Sequence, residues 1–90
     1  MKFEWDPNKA RSNLRKHRVS FEEAVTALND SMSATGFDPD HSITEKRYIT
    51  FGLSKLGRLL VVAHTNDDEI IRIISARLAT RGERKIYEEG

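Results

Sequence analysis

The sequence predicts an α+β fold: two helices near the N-terminus, an antiparallel sheet, and a closing helix, in the order β-α-α-β-β-β-β-α. Three observations predict it. Helix-start signals precede apolar residues at helical spacing twice before residue 30. Strand-like runs then follow one another, separated by short polar turns. Finally Thr80 and Glu83 make a T-x-x-E capping box at the start of a last helix.

The elements follow in order. "KFEW" at 2–5 alternates polar and apolar residues and reads as a short strand whose partner is open. Asp6-Pro7 starts a helix: Asp6 accepts from orphan backbone N–H groups, and Pro7 suits the first helical position. Ala10, Leu14 and His17 recur at helical spacing, so this helix ends near His17 or Arg18. Ser20 and Glu23 form an S-x-x-E box for a second helix, with Phe21, Ala24, Val25 and Leu28 on one apolar face and Asn29-Asp30 as its stop. "SMSATGF" is a weak strand signal, and "DPDHS" at 38–42 is a turn or exposed loop. "RYITFGLS" alternates, "KLGR" is a hairpin turn, and "LLVVAHT" and "IIRIISA", split by "NDDE", are apolar on both faces as central strands are.

Ninety residues suffice for one domain, 1–90, with a single core. The chain has no cysteine, which fits a reducing compartment such as the cytoplasm and excludes disulfides and thiolate metal sites. No apolar run approaches the roughly 18 residues of a membrane span. Formal net charge is +1, but it is unevenly distributed. Cations crowd residues 2–18, only acids occur from Glu22 to Glu45, and only cations from Lys46 to Arg58. Basic and acidic faces fit this pattern, as does an ordinary mixed surface.

Arg72 is the informative residue. It interrupts an apolar strand, so it must pair, reach solvent or line a cleft, because an unpaired buried guanidinium is costly. A planar guanidinium also suits a phosphate. His64 lies near the end of the preceding strand; the "NDDE" hairpin brings it close to residues 70–72, and a shared face with Arg72 would equip it for proton transfer. The alternative is a histidine hydrogen-bonded for structure. Arg77, Arg81, Arg84 and Lys85 follow on the last strand and helix, either as a solvated face or as a basic rim near a helix N-terminus. His17, His41 and His64 give no metal-ligand spacing, and no Gly-rich phosphate loop is present, so neither a metal nor a cofactor is expected. Arginines with a histidine and no metal suit attack of a ribose 2′-hydroxyl on the adjacent RNA phosphate.

The stretches "FEWDPNKARSNLRKHRVSFEEA", "GLSKLGRLLVVAHT" and "IRIISARLATRGERKIYEE" resemble, in order and over nearly the whole chain, the BrnT family of type II toxins. The resemblance implies a RelE-like fold and a metal-independent ribonuclease that blocks translation. It implies neutralisation by a BrnA-type antitoxin, contact with DNA only through that antitoxin, and a possible toxin homodimer within a heterotetramer. His64, Arg72, Arg77, Arg81 and Arg84 are then the candidate catalytic residues. Three departures remove expected cations. Asn66-Asp67 replaces Glu-Arg, Leu78 replaces a lysine, and Gly82 replaces a basic residue. These imply a nuclease weaker than its relatives, or an inactive homologue that binds antitoxin for operon autoregulation. A simple RNA-binding module is a third reading, weakened by the lack of an aromatic stacking pattern.

Overall fold

The computed structural model describes residues 1–38 and 45–89. Its elements are β1 (Lys2–Glu4), α1 (Pro7–His17), α2 (Phe21–Leu28), β2 (Ala34–Phe37), β3 (Arg47–Leu53), β4 (Leu59–Asp67), β5 (Ile70–Leu78) and α3 (Arg81–Glu89). The turn expected at 38–42 falls largely outside the described residues. The five strands form one sheet in the order β1-β5-β4-β3-β2.

The helix starts obey local chemistry. Asp6 accepts from the Asn8 N–H at 2.8 Å, with Pro7 at the first helical position. The α1 helix ends where Arg18 turns left-handed at φ 59° and its N–H reaches the Leu14 carbonyl. The Ser20 hydroxyl accepts from the Glu23 N–H at 3.0 Å. The reciprocal half of that box is replaced, because the Glu23 carboxylate turns to Ser54 and Arg58. At α3 the box is complete: Thr80 Oγ1 accepts from Glu83 N–H, and Glu83 Oε1 accepts from Thr80 N–H.

Both helices α1 and α2 cover one face of the sheet, the inner face. Val19, Phe21, Ala24 and Ala27 pack there on Leu60, Val62, Ile73 and Ala76. Gly52 permits the close approach of α2 to β3. A Cβ at this position would lie 2.1 Å from the Ala27 carbonyl oxygen, a clash with backbone that no rotamer relieves. Gly52→Ala is therefore expected to destabilise the fold by about 2 kcal/mol, read as a lower urea midpoint at unchanged slope. An unchanged midpoint would contradict this packing.

The expected antiparallel sheet needs one correction. β2 to β5 are antiparallel neighbours, but β1 pairs with β5 in parallel, Lys2 opposite Ile70 and Glu4 opposite Arg72. The chain leaves β1 into α1 and crosses the inner face before it returns, so β1 meets the last strand rather than the next.

β5 contains a bulge. Register partners run His64–Ile73 and then Ala63–Ser75, which leaves Ile74 as the extra residue. Asn13 of α1 braces the strand just beyond it. Its amide donates to the Ala76 carbonyl at 2.7 Å and to the Val19 carbonyl at 3.0 Å, and its oxygen accepts from the Ala76 N–H at 3.1 Å. The bulge matters for function, because it decides which side chains of β5 share a face.

Candidate functional site: an arginine-bearing sheet face

Side chains directly opposite one another across a ladder point to the same face. Thr65 faces Arg72, and Val61 faces Arg77. Thr65 and Val61 are four apart on a regular strand, so they share a face, and Arg72 and Arg77 share it with them. Five residues apart on an unbulged strand, the two arginines would point to opposite sides. Ile74 supplies the extra step that brings them together. Their backbones lie about 13 Å apart along the sheet.

This outer face is the one that α1 and α2 leave uncovered. Arg47 also belongs to it, opposite Thr65 on β3. Arg47, Thr65 and Arg72 thus form one row across three strands. Residues of the row line two hollows. One, of about 370 Å³, holds Arg72 with Glu4, Glu45, Asn66 and Asp67. The other, of about 260 Å³, holds Arg47 and Arg77 with Asp38, Ala63 and Ser75. The arginines therefore share a face but not one single hollow.

Each arginine has a carboxylate beside it. Arg72 Nη2 donates to both Glu45 oxygens at 3.0 and 3.2 Å. Arg77 meets Glu83 with two parallel hydrogen bonds, 2.8 and 2.9 Å, from Nη1 and Nη2. That fork holds the Glu83 carboxyl down to about 2, with the Thr80 N–H assisting, and raises the Arg77 guanidinium further. Because the folded-state value is depressed, this stabilisation is complete above the ordinary value near 4.5 and is lost as pH falls toward 2. Glu83→Gln is expected to flatten the acid limb of the stability curve between about pH 4.5 and pH 2, measured by thermal unfolding against pH. An unchanged acid limb would show that the fork does not persist in solution.

His64 is a correction. It is 4 % exposed and lies on the inner face, opposite Ile73 rather than Arg72. The hairpin turn has two residues, Asp68 and Glu69, so Asp67 pairs with Ile70 and every even residue near the turn meets an odd one. Inside the core His64 Nε2 is 2.7 Å from Thr50 Oγ1, which is 2.8 Å from Thr35 Oγ1, and its ring stacks on Tyr48. Burial lowers its pKa, so it is neutral at physiological pH. It is a structural histidine with no access to the arginine face.

Arg81 and Arg84 are exposed on α3 and line neither hollow, and Arg84 lies 3.8 Å from Glu88. They do not converge with Arg72 and Arg77. The three sequence departures also separate in space. Asp67 lines the Arg72 hollow and places an acid beside that guanidinium. Leu78 lies opposite Leu60, on the inner-face side of β5, so a lysine there would not join the arginine face. Gly82 sits in the exposed first turn of α3, where a Cβ would meet open space. Among the described residues no cluster of three or more His, Asp or Glu is placed to hold a metal.

The family description "Ribonuclease toxin, BrnT, of type II toxin-antitoxin system" matches residues 5–83. The chain belongs to the BrnT family. A crystal structure of the Brucella abortus ribonuclease toxin BrnT is similar in fold, with a TM-score of 0.66 and 23 % sequence identity over 90 % of this chain and 99 % of that one. No curated protein matches the chain. As a BrnT-family type II toxin, the chain is expected to bind an antitoxin. No helix among the described residues is long and apolar enough to cross a membrane.

Proposed function

We propose that this BrnT-family chain is a metal-independent endoribonuclease whose outer sheet face holds the RNA backbone. One observation carries the reading: the bulge at Ile74 turns Arg72 and Arg77 onto the same solvent-reachable face, with Arg47 beside them. The two backbones stand about 13 Å apart along the sheet, so the two guanidiniums can meet different phosphates of one strand.

The reaction is attack of a ribose 2′-oxygen on the adjacent phosphorus. A bond from O2′ to phosphorus forms as the bond to O5′ breaks. The 2′-proton leaves to a base, the 5′-oxygen gains a proton, and a 2′,3′-cyclic phosphate remains. The arginines stabilise the charge that builds on the phosphoryl oxygens. Arginine is a poor proton acceptor at any ordinary pH, and His64 faces the core, so neither is assigned as the base. Arg81 and Arg84 add positive potential from α3 without touching the reacting phosphate.

In this reading the 90 residues act as one RelE-like toxin domain in the cytoplasm. It inhibits translation until a BrnA-type antitoxin neutralises it. The antitoxin also carries any contact with operator DNA, and a toxin homodimer would sit inside a heterotetramer.

Incubating the purified protein with RNA in excess chelator tests the proposal. Fragments ending in 2′,3′-cyclic phosphate are the expected products. Intact RNA would instead favour the second reading, a catalytically weak homologue that binds antitoxin. Asp67 beside Arg72 supports that second reading, since it subtracts positive potential from the hollow.

A further inference from the structure

We infer that Arg47 and Arg72 together form a seat for one RNA phosphate, and that Glu45 occupies this seat as an internal anion until RNA displaces it. The inference rests on the ribonuclease reading above and adds to it a specific role for Arg47 and a means of restraint. Nothing in the sequence around Arg47 singles it out; only the sheet register does.

The geometry is that of an anion held between two cations. Glu45 Oε1 lies 3.0 Å from Arg72 Nη2 and 3.7 Å from Arg47 Nε. The two arginines stand on β3 and β5, on either side of Thr65. Their backbones are two strand spacings apart, about 10 Å, and the Glu45 carboxylate lies near both guanidiniums. A phosphate group placed there meets both guanidiniums at once.

The carboxylate fills this place incompletely. Both of its oxygens engage the single Nη2 of Arg72, and among the described residues Arg72 Nη1 and Nε make no hydrogen bond. The contact with Arg47 is an ion pair longer than a hydrogen bond. Both partners are open to water, with side-chain exposures of 46 % for Arg72 and 42 % for Glu45. An exposed pair of this kind is weak and easily exchanged. A phosphate offers more acceptor oxygens in the fork geometry that guanidinium favours. Displacement of Glu45 by RNA is therefore favourable, while in free protein the carboxylate holds the place between the two arginines.

Binding of a short single-stranded 2′-O-methyl RNA, which lacks the attacking hydroxyl, tests this across a series of salt concentrations. Glu45→Gln removes the internal anion and is expected to tighten binding roughly two- to fivefold. Arg47→Ala is expected to weaken it about fivefold or more and to reduce the salt slope by about 0.7, the loss of one phosphate contact to a single strand. Arg47→Lys keeps the charge and should keep most of the slope. Circular dichroism checks that each variant is folded; if Arg47→Ala is not, Glu45→Gln and Arg47→Lys decide. Binding by the parent with an unchanged slope in Arg47→Ala, or with no gain in Glu45→Gln, overturns the inference and leaves the ribonuclease reading standing. Failure of the parent itself to bind the RNA removes both.

Discussion

Arg72→Ala is expected to lower RNA cleavage by about a hundredfold or more, with a much smaller effect on stability. The catalytic part follows from charge. Phosphoryl transfer adds negative charge to oxygens that a guanidinium can neutralise, and one such group is typically worth about 3–4 kcal/mol in the transition state. The stability part follows from exposure. The Arg72–Glu45 pair is open to solvent, so its removal changes folding by less than about 1 kcal/mol. Single-turnover cleavage together with urea unfolding separates the two. Equal cleavage by parent and variant would point to a contaminating nuclease or to a site elsewhere. Arg77→Ala should also reduce cleavage, but with a larger stability cost, because Arg77 anchors Glu83 at the start of α3.

The second large effect is structural. Glu23→Ala is expected to destabilise the fold by about 3 kcal/mol. The Glu23 side chain is only 5 % exposed, and it joins α2 to the turn between β3 and β4. It accepts from Ser54 Oγ at 2.7 Å and from Arg58 Nε at 2.9 Å, and it also meets Arg58 Nη2. The hydrogen bond from Arg58 is the main reason its pKa is lowered, with Ser54 assisting against burial. Removing the carboxylate leaves the Ser54 hydroxyl and the Arg58 guanidinium short of acceptors. Arg58 is a third exposed and still donates to the Arg18 carbonyl, which keeps the loss below that of a fully buried charge. Urea unfolding at neutral pH measures it, and a loss under about 1 kcal/mol would make this an ordinary surface pair.

Features fixed by neighbours in sequence were legible. The Asp6-Pro7 start, the hydroxyls of Ser20 and Thr80 as caps, and the turn with Gly57 at φ 81° all depend on residues within a few positions. The double-faced apolar runs of β4 and β5 announced central strands, and they are central. What depended on distant partners was not legible. The parallel pairing of β1 requires knowing where the chain returns. Glu23 has the spacing of a capping residue, yet its carboxylate is claimed by Arg58, 35 residues later.

The site divides along the same line. Arg72 was visible because a charge inside an apolar strand demands an explanation. The face of Arg77 was not, because it depends on the bulge at Ile74, which carries no glycine and is braced by Asn13 from α1. His64 was assigned to the wrong face because proximity at a hairpin does not give parity; the two-residue length of the turn does. Counting that loop would have corrected it. Arg47 was missed because it opens its strand beside Lys46, as an unremarkable pair of cations.

RNA is expected to lie across the outer face of the sheet, and mapping a non-cleavable RNA by amide chemical shifts tests this most directly. Perturbations gathered on Arg47, Thr65, Arg72, Ser75 and Arg77, with α1, α2 and His64 unmoved, are the predicted result. Perturbations centred instead on the helix-covered face, with the arginine rows silent, would contradict it.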